Sequence, residues 1–223
     1  MFINTINNFN LNKNNTSQSF KSRNPEIRFA DDIARKVNQE FPRLSFSKVL
    51  EFSNIDRFQL FAYFLNQKIV AMRSVKSNLY NNAISLSEKL LALTSSIKKF
   101  QVGNCGESAQ LAEIAARTNG IKDCYCTLLN SQDEIIDHQV LFVYNNGKSY
   151  VIDPWLGFAD YLPKATERYR GEFRKYFDEN IESYVEYNGI VSYDPTGDIF
   201  SGRYSEDDLK RLYPELVLKK DKK

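Results

Sequence analysis

The residues best suited to chemistry lie in one short run, Gly103-Asn104-Cys105-Gly106-Glu107-Ser108-Ala109. A glycine-flanked cysteine directly before a helical pattern has three physical advantages. Gly103 and Gly106 let the backbone turn sharply and approach a substrate closely. The first N–H groups of a helix lack an internal partner and can receive an oxyanion. The positive end of the helix dipole favours a thiolate at that position. Ser108 and Ala109, three and four residues on, lie under the same helix face as Cys105, and their small size leaves room for a neighbour to pack close. Glu107 is expected to point away from the thiol. It reads as a helix-start acid in preference to a catalytic group.

A thiol nucleophile needs a base, and the chain has one histidine, His138. If Cys105 works by a Cys–His mechanism, His138 must be that base. His138 opens a run of strand-like residues to Tyr144, and Ser149–Ile152 follows after Asn145-Asn146-Gly147, a strong hairpin signal. A two-residue turn at Asn146-Gly147 sets Asp153 opposite Val140, diagonal to His138. A turn at Asn145-Asn146 sets it directly opposite. Both registers leave the imidazole and the carboxylate on one face, within reach of each other. Asp137 adjoins His138, but neighbours on a strand point to opposite faces. Asp153 is therefore the expected orienter of the ring. Pro154 ends the strand. Trp155, the only tryptophan, reads either as core packing or as a cover that keeps water off the His–Asp hydrogen bond.

The elements around this constellation suggest an α+β arrangement, a helix carrying the nucleophile packed on an antiparallel sheet with added helices before it. Asp31 or Asp32 is a candidate cap for a helix that buries Ile33, Val37 and Phe41 and stops at Pro42. Phe58, Phe61, Ala62, Leu65, Ile69 and Met72 draw one apolar stripe on a second helix, and Leu86, Leu90, Leu93 and Ile97 draw another. The nucleophile helix is expected to stop at Asn119-Gly120, followed by a strand over Cys124–Leu129. Ser205 with Asp208 predicts a last short helix through Leu209 and Leu212, ending near Pro214. The stretch after Asp153 is tyrosine-rich and shows little periodicity.

With 223 residues, 42% hydrophobic and 26% charged, the chain has enough apolar material for one medium-sized core. Residues 1–24 are crowded with asparagine, and such a segment buries too little surface to offset its ordering entropy. It reads as a polar tail, or as an uncleaved export signal of the unstructured kind. Residues 25–223 read as a single catalytic domain, helical over about 25–100 with the catalytic core at about 101–160. A net charge of +2 gives no electrostatic footprint for nucleic acid. The basic Lys219–Lys223 end reads as a solvated terminus. No stretch reaches the roughly 18 apolar residues of a membrane span, and no cleaved signal peptide is read at the start. Three cysteines, an odd number, suggest free thiols in a reducing compartment.

Gly103–Glu107, then Asp137-His138-Gln139-Val140-Leu141-Phe142-Val143, then Val151-Ile152-Asp153-Pro154-Trp155, resembles the papain-like Cys–His–Asp superfamily. The nearest in style are bacterial effectors and toxins that deamidate glutamines of host proteins, and transglutaminase-like proteins. The resemblance covers Gly103–Trp155, about a quarter of the chain. It implies a papain-like or transglutaminase-like core with Cys105 as nucleophile, His138 as base and Asp153 as orienter. It further implies an oxyanion hole from the backbone at Cys105 and Gly106 plus an upstream side-chain amide, for which Gln101 is the available residue, and Asn104 and Trp155 as site-shaping neighbours. No cofactor or metal is called for. The implied partners are a protein substrate and, for an effector, a host activator or export chaperone, with the chain itself a monomer. Deamidase, protease and transglutaminase share this chemistry. Two readings of other classes stand beside it: a structural zinc site built from Cys105, Cys124, Cys126 and His138, and a non-catalytic interaction protein on the same fold.

Overall fold

The computed structural model describes residues 24–43, 55–129, 138–174, 191–192 and 204–219. Of the expected tail over residues 1–24, all but Asn24 lies outside these, as does the end beyond Lys219. Among the described residues three helices come first: α1 (Pro25–Glu40), α2 (Ile55–Asn81) and α3 (Leu86–Phe100). Helix α4 (Cys105–Thr118) leads into β1 (Cys124–Leu129), β2 (His138–Asn145), β3 (Lys148–Asp153) and β4 (Phe158–Tyr161). Helix α5 (Leu162–Arg174), the two-residue β5 (Val191–Ser192), α6 (Glu206–Leu212) and a 3-10 turn at Pro214–Leu216 complete the order. The sheet is antiparallel, in the order β4-β3-β2-β1-β5. The fold is thus mixed helix and antiparallel sheet, α+β in class.

The two faces of the sheet are covered by different helices. Cys124, Cys126, Leu141, Val143, Tyr150 and Ile152 share a core with Leu111, Ala112 and Ala115 of α4. On the other face, Val140, Phe142, Val151 and Phe158 pack with Ala165 and Tyr169 of α5. Strand alternation decides which side chain goes where. His138 and Asp153 follow the parity of Val140 and Val151, so both point to the α5 side, away from the buried thiols of β1.

The β2–β3 turn is the two-residue one. Asn145 pairs with Lys148 and Leu141 with Ile152, the register that carries Asp153 opposite Val140. Asn146 and Gly147 both take positive φ, 48° and 76°, as a type I′ turn requires.

Helix α1 starts earlier than Asp31. Asn24 caps it by accepting from the Glu26 N–H, and Pro25 occupies the first turn, where its missing N–H is no loss. Asp31 is instead buried and accepts the backbone N–H of Ala159 of β4 at 2.7 Å. Together with Asn38 Nδ2, which donates to the carbonyl of Pro154 at 2.8 Å, it fastens α1 to the chain just past Asp153. Along α2, Leu65, Ile69 and Met72 are buried as expected, but Phe61 is 40% exposed; the side chain of Phe58 lies outside those described. In α3, Leu90, Leu93 and Ile97 are buried, and Ser85 with Glu88 forms a capping box. The same device, Ser205 with Asp208, opens α6. The tyrosine-rich stretch after Asp153 yields β4 and α5, which its weak periodicity did not predict.

Candidate active site

Cys105 is the first residue of α4 and is partly exposed. The residue before it is held at both ends of its backbone. The Asn104 N–H donates to Glu107 Oε2 at 3.0 Å. Its carbonyl accepts from the Ser108 N–H at 3.0 Å and from Ser108 Oγ at 2.8 Å. Each of these side chains is in turn gripped by an arginine. Arg73 of α2 donates through Nε and Nη2 to the two oxygens of Glu107, at 2.8 and 3.0 Å, with Lys76 at 3.9 Å. Arg43, after α1, donates through Nε and Nη2 to Ser108 Oγ at 3.0 and 2.8 Å. Burial lowers the Arg43 pKa to about 10 despite the opposing charges of Asp153 and Glu107. Glu107 is therefore a helix-start acid, as its position suggested, but a buried and multiply paired one. Burial raises its pKa, and the hydrogen bonds from Arg73 and Asn104 more than reverse that, leaving it below the usual value. The cysteine loop is thus tied to α1 and α2, which lie far away in sequence.

Asp153, at the end of β3, is 1% exposed and makes three hydrogen bonds. Its Oδ2 lies 2.7 Å from His138 Nε2 and accepts the Tyr169 hydroxyl at 3.1 Å; its Oδ1 accepts the Leu156 N–H at 3.0 Å. The His138 ring, 2% exposed, also has the Cys105 thiol as a hydrogen-bond partner. With Nε2 committed to Asp153, Nδ1 is the nitrogen left for sulfur. Burial alone would depress the imidazole pKa. The charge and hydrogen bond of Asp153, followed by the contact with Cys105, outweigh burial and raise it above its ordinary 6.5. The ring is boxed by aromatics: Trp155 at 4.9 Å between centroids, and Tyr169 edge-on at 5.6 Å. Both nitrogens are thereby fixed in direction, one toward carboxylate and one toward sulfur. That arrangement can take a proton from a thiol and return it to a departing group.

The structure brings together Cys105, His138 and Asp153, with Asn104 and Trp155 beside them. It places Gln101 differently. Gln101 caps α3 in a left-handed conformation, φ 53°, with its N–H bonded to the Ile97 carbonyl and its side chain exposed. Cys124 and Cys126 sit on the α4 face of the sheet, with Cys126 Sγ 3.3 Å from Glu113 Oε2, so they do not join His138 in one ligand set. Among the described residues no group of three or more His, Cys, Asp or Glu converges as a cation site. Sequence reasoning missed Tyr169, Arg43 and Arg73. Tyr169 left a faint signal, since Ala165 and Tyr169 stand one helical turn apart. The others act only through tertiary contacts. Two surface grooves lie elsewhere: one runs along Phe29, Asp32 and Lys36 to Leu218, and the other along Tyr125, Phe142 and Tyr144. No described helix is long and apolar enough to cross a membrane. Compared with protein-family profiles, with curated proteins and with solved structures, the chain matches none.

Proposed function

We propose that the chain is a cysteine-dependent hydrolase with a papain-like arrangement, acting on amide groups of a protein and preferring deamidation of a glutamine side chain. One observation carries the reading: a buried 2.7 Å His138–Asp153 contact whose imidazole meets a partly exposed cysteine at a helix N-terminus. The proton shared by the Cys105–His138 pair rests on the imidazole as the Cys105 sulfur attacks the carboxamide carbon. Ammonia leaves with a proton from His138, and water then hydrolyses the thioester. The preference for deamidation over proteolysis or transamidation rests on the sequence resemblance, because the three residues act alike in all of them. An effector delivered into a host cell is the setting that resemblance suggests, and three free cysteines suit its reducing interior.

A protein partner is favoured by the outer face of α2, where Tyr63, Phe64 and Val70 are 60%, 60% and 55% exposed. The test uses the two buried thiols as internal controls. At about pH 6 an activated thiol reacts with iodoacetamide while inert ones do not. Label confined to Cys105, and absent from Cys105→Ala, is the expected result. Equal or no labelling of the three cysteines contradicts the reading.

A further inference from the structure

Glu107 carries one negative charge and is faced by more positive charge than it can balance. Arg73 commits Nε and Nη2 to its two oxygens. Lys76, three residues further along α2, approaches Oε1 at 3.9 Å. The charge of the buried Arg43 acts on Glu107 as well. Among the described residues no other carboxylate lies within 4.0 Å of Arg73 or Lys76. A guanidinium holds its N–H donors in a fork that matches a carboxylate, and Nη1 of Arg73 makes no hydrogen bond among the described residues. The Lys76 ammonium is only donors, and 3.9 Å is too long for a hydrogen bond to Glu107. A lysine ordinarily keeps its ammonium in water. Lys76 does not: its side chain is 25% exposed, and burial lowers its pKa. Arg73 is half exposed, so the pair can be reached from solvent. Both stand close to the nucleophile. Glu107 Oε2 accepts the N–H of Asn104, the residue before Cys105, at 3.0 Å, and the charges of Arg73 and Cys105 act on each other.

We propose that Arg73 and Lys76 form a carboxylate-binding subsite beside Cys105, and that the favoured target amide has an acidic side chain close to it in the protein substrate. This rests on the cysteine-enzyme reading above and adds a substrate class to it. Arg73 offers Nη1 to the incoming carboxylate while Nε and Nη2 stay on Glu107. Lys76 adds a point charge, and the second carboxylate gives its ammonium the partner that Glu107, committed to Arg73, does not supply. In that reading the target is a glutamine side chain within a protein, so the carboxylate is that of a neighbouring Asp or Glu. A basic residue at the same place in a competing protein meets like charge, so the subsite rejects as well as selects.

The test uses two reagents that differ in charge alone. Iodoacetate and iodoacetamide form the same sulfur–carbon bond and expel the same iodide, but one carries a carboxylate and the other a neutral amide. Both rates are measured at Cys105, at about pH 6, in wild type, Arg73→Gln, Lys76→Gln and the charge-conserving Lys76→Arg, with thermal melting as the check on folding. The protonated His138 also attracts the anion, so the ratio of the two rates is compared between variants. A loosened loop or a less reactive thiol slows both reagents and leaves the ratio where it was. Loss of either positive charge is expected to lower the iodoacetate-to-iodoacetamide ratio by about three- to tenfold at low ionic strength, and Lys76→Arg to keep it. At about 1 M salt the difference from wild type should shrink below about twofold. An unchanged ratio in either folded glutamine variant would overturn the paired subsite, as would a ratio that Lys76→Arg lowers as much as Lys76→Gln. Failure of the underlying reading looks different: wild-type Cys105 would then react with iodoacetamide no faster than a free thiol, and the proposal would fall with it.

Discussion

Asp153→Asn isolates the charge behind the candidate base. Asparagine keeps the volume of the side chain, and its Oδ1 can still accept the Leu156 N–H, which lies at 3.0 Å in the wild type. The negative charge 2.7 Å from His138 Nε2 is gone. Two opposite unit charges about 4 Å apart attract by about 4 kcal/mol at an effective dielectric constant of about 20. At about 1.4 kcal/mol per pKa unit, that is a fall of about three units for the imidazole. The burial penalty on His138, which is 2% exposed, stays behind and acts in the same direction. Because His138 is the only histidine, its titration in untagged protein can be followed by NMR without assignment. The wild-type ring should remain protonated well above pH 6.5, where a free imidazole has lost its proton. The variant should titrate below that value or stay neutral throughout. Turnover should fall by on the order of 10³- to 10⁴-fold with the fold intact, as expected when a triad loses its orienting charge. An Asp153→Asn protein whose histidine still titrates as in wild type would refute the electrostatic argument.

Linkage makes the same charge visible in stability. The folded pKa of His138 is raised, so its contribution is complete below about 6.5 and is lost as pH rises toward about 10. Denaturation midpoints of wild type should fall across that window, and those of Asp153→Asn should lose this dependence. Tyr169→Phe removes one donor to Asp153 and leaves the ring packing in place. Urea unfolding should show a loss of about 1 kcal/mol, with a modest drop in Cys105 acylation; no change in either would mean the 3.1 Å contact contributes nothing. Arg73→Ala takes from Glu107, 3% exposed, the guanidinium hydrogen-bonded to it, leaving Lys76 at 3.9 Å and the charge of Arg43. Because Arg73 is half exposed, the expected loss is about 1–3 kcal/mol by urea unfolding, together with slower alkylation of Cys105 as the Asn104 loop loosens.

Much of this site was legible because its geometry is local. Asn146-Gly147 fixes a two-residue turn, the turn fixes the register, and the register fixes which face carries His138 and Asp153. Gly103 and Gly106 marked the helix start in the same way. What escaped depends on contacts between distant segments. Asp31 looked like a cap because nothing in sequence shows the Ala159 N–H that claims its carboxylate. Glu107 read only as a helix-start acid because its partners Arg73 and Lys76 belong to another helix. Gln101 was the upstream glutamine nearest Cys105 in the chain, yet Gln139 is the amide that packs against Gly106. Phe61 follows the apolar period of α2 and is still 40% exposed, because periodicity shows which residues share a stripe and not how deeply each is covered.

The most direct test of the central claim compares wild type and Cys105→Ala, each incubated with a host-cell lysate, by peptide mass spectrometry. A gain of about one dalton on a glutamine peptide, produced by wild type and absent with Cys105→Ala, is the result expected for thioester hydrolysis of a carboxamide. The same modification appearing at equal level with Cys105→Ala would contradict the assignment of Cys105 as the nucleophile.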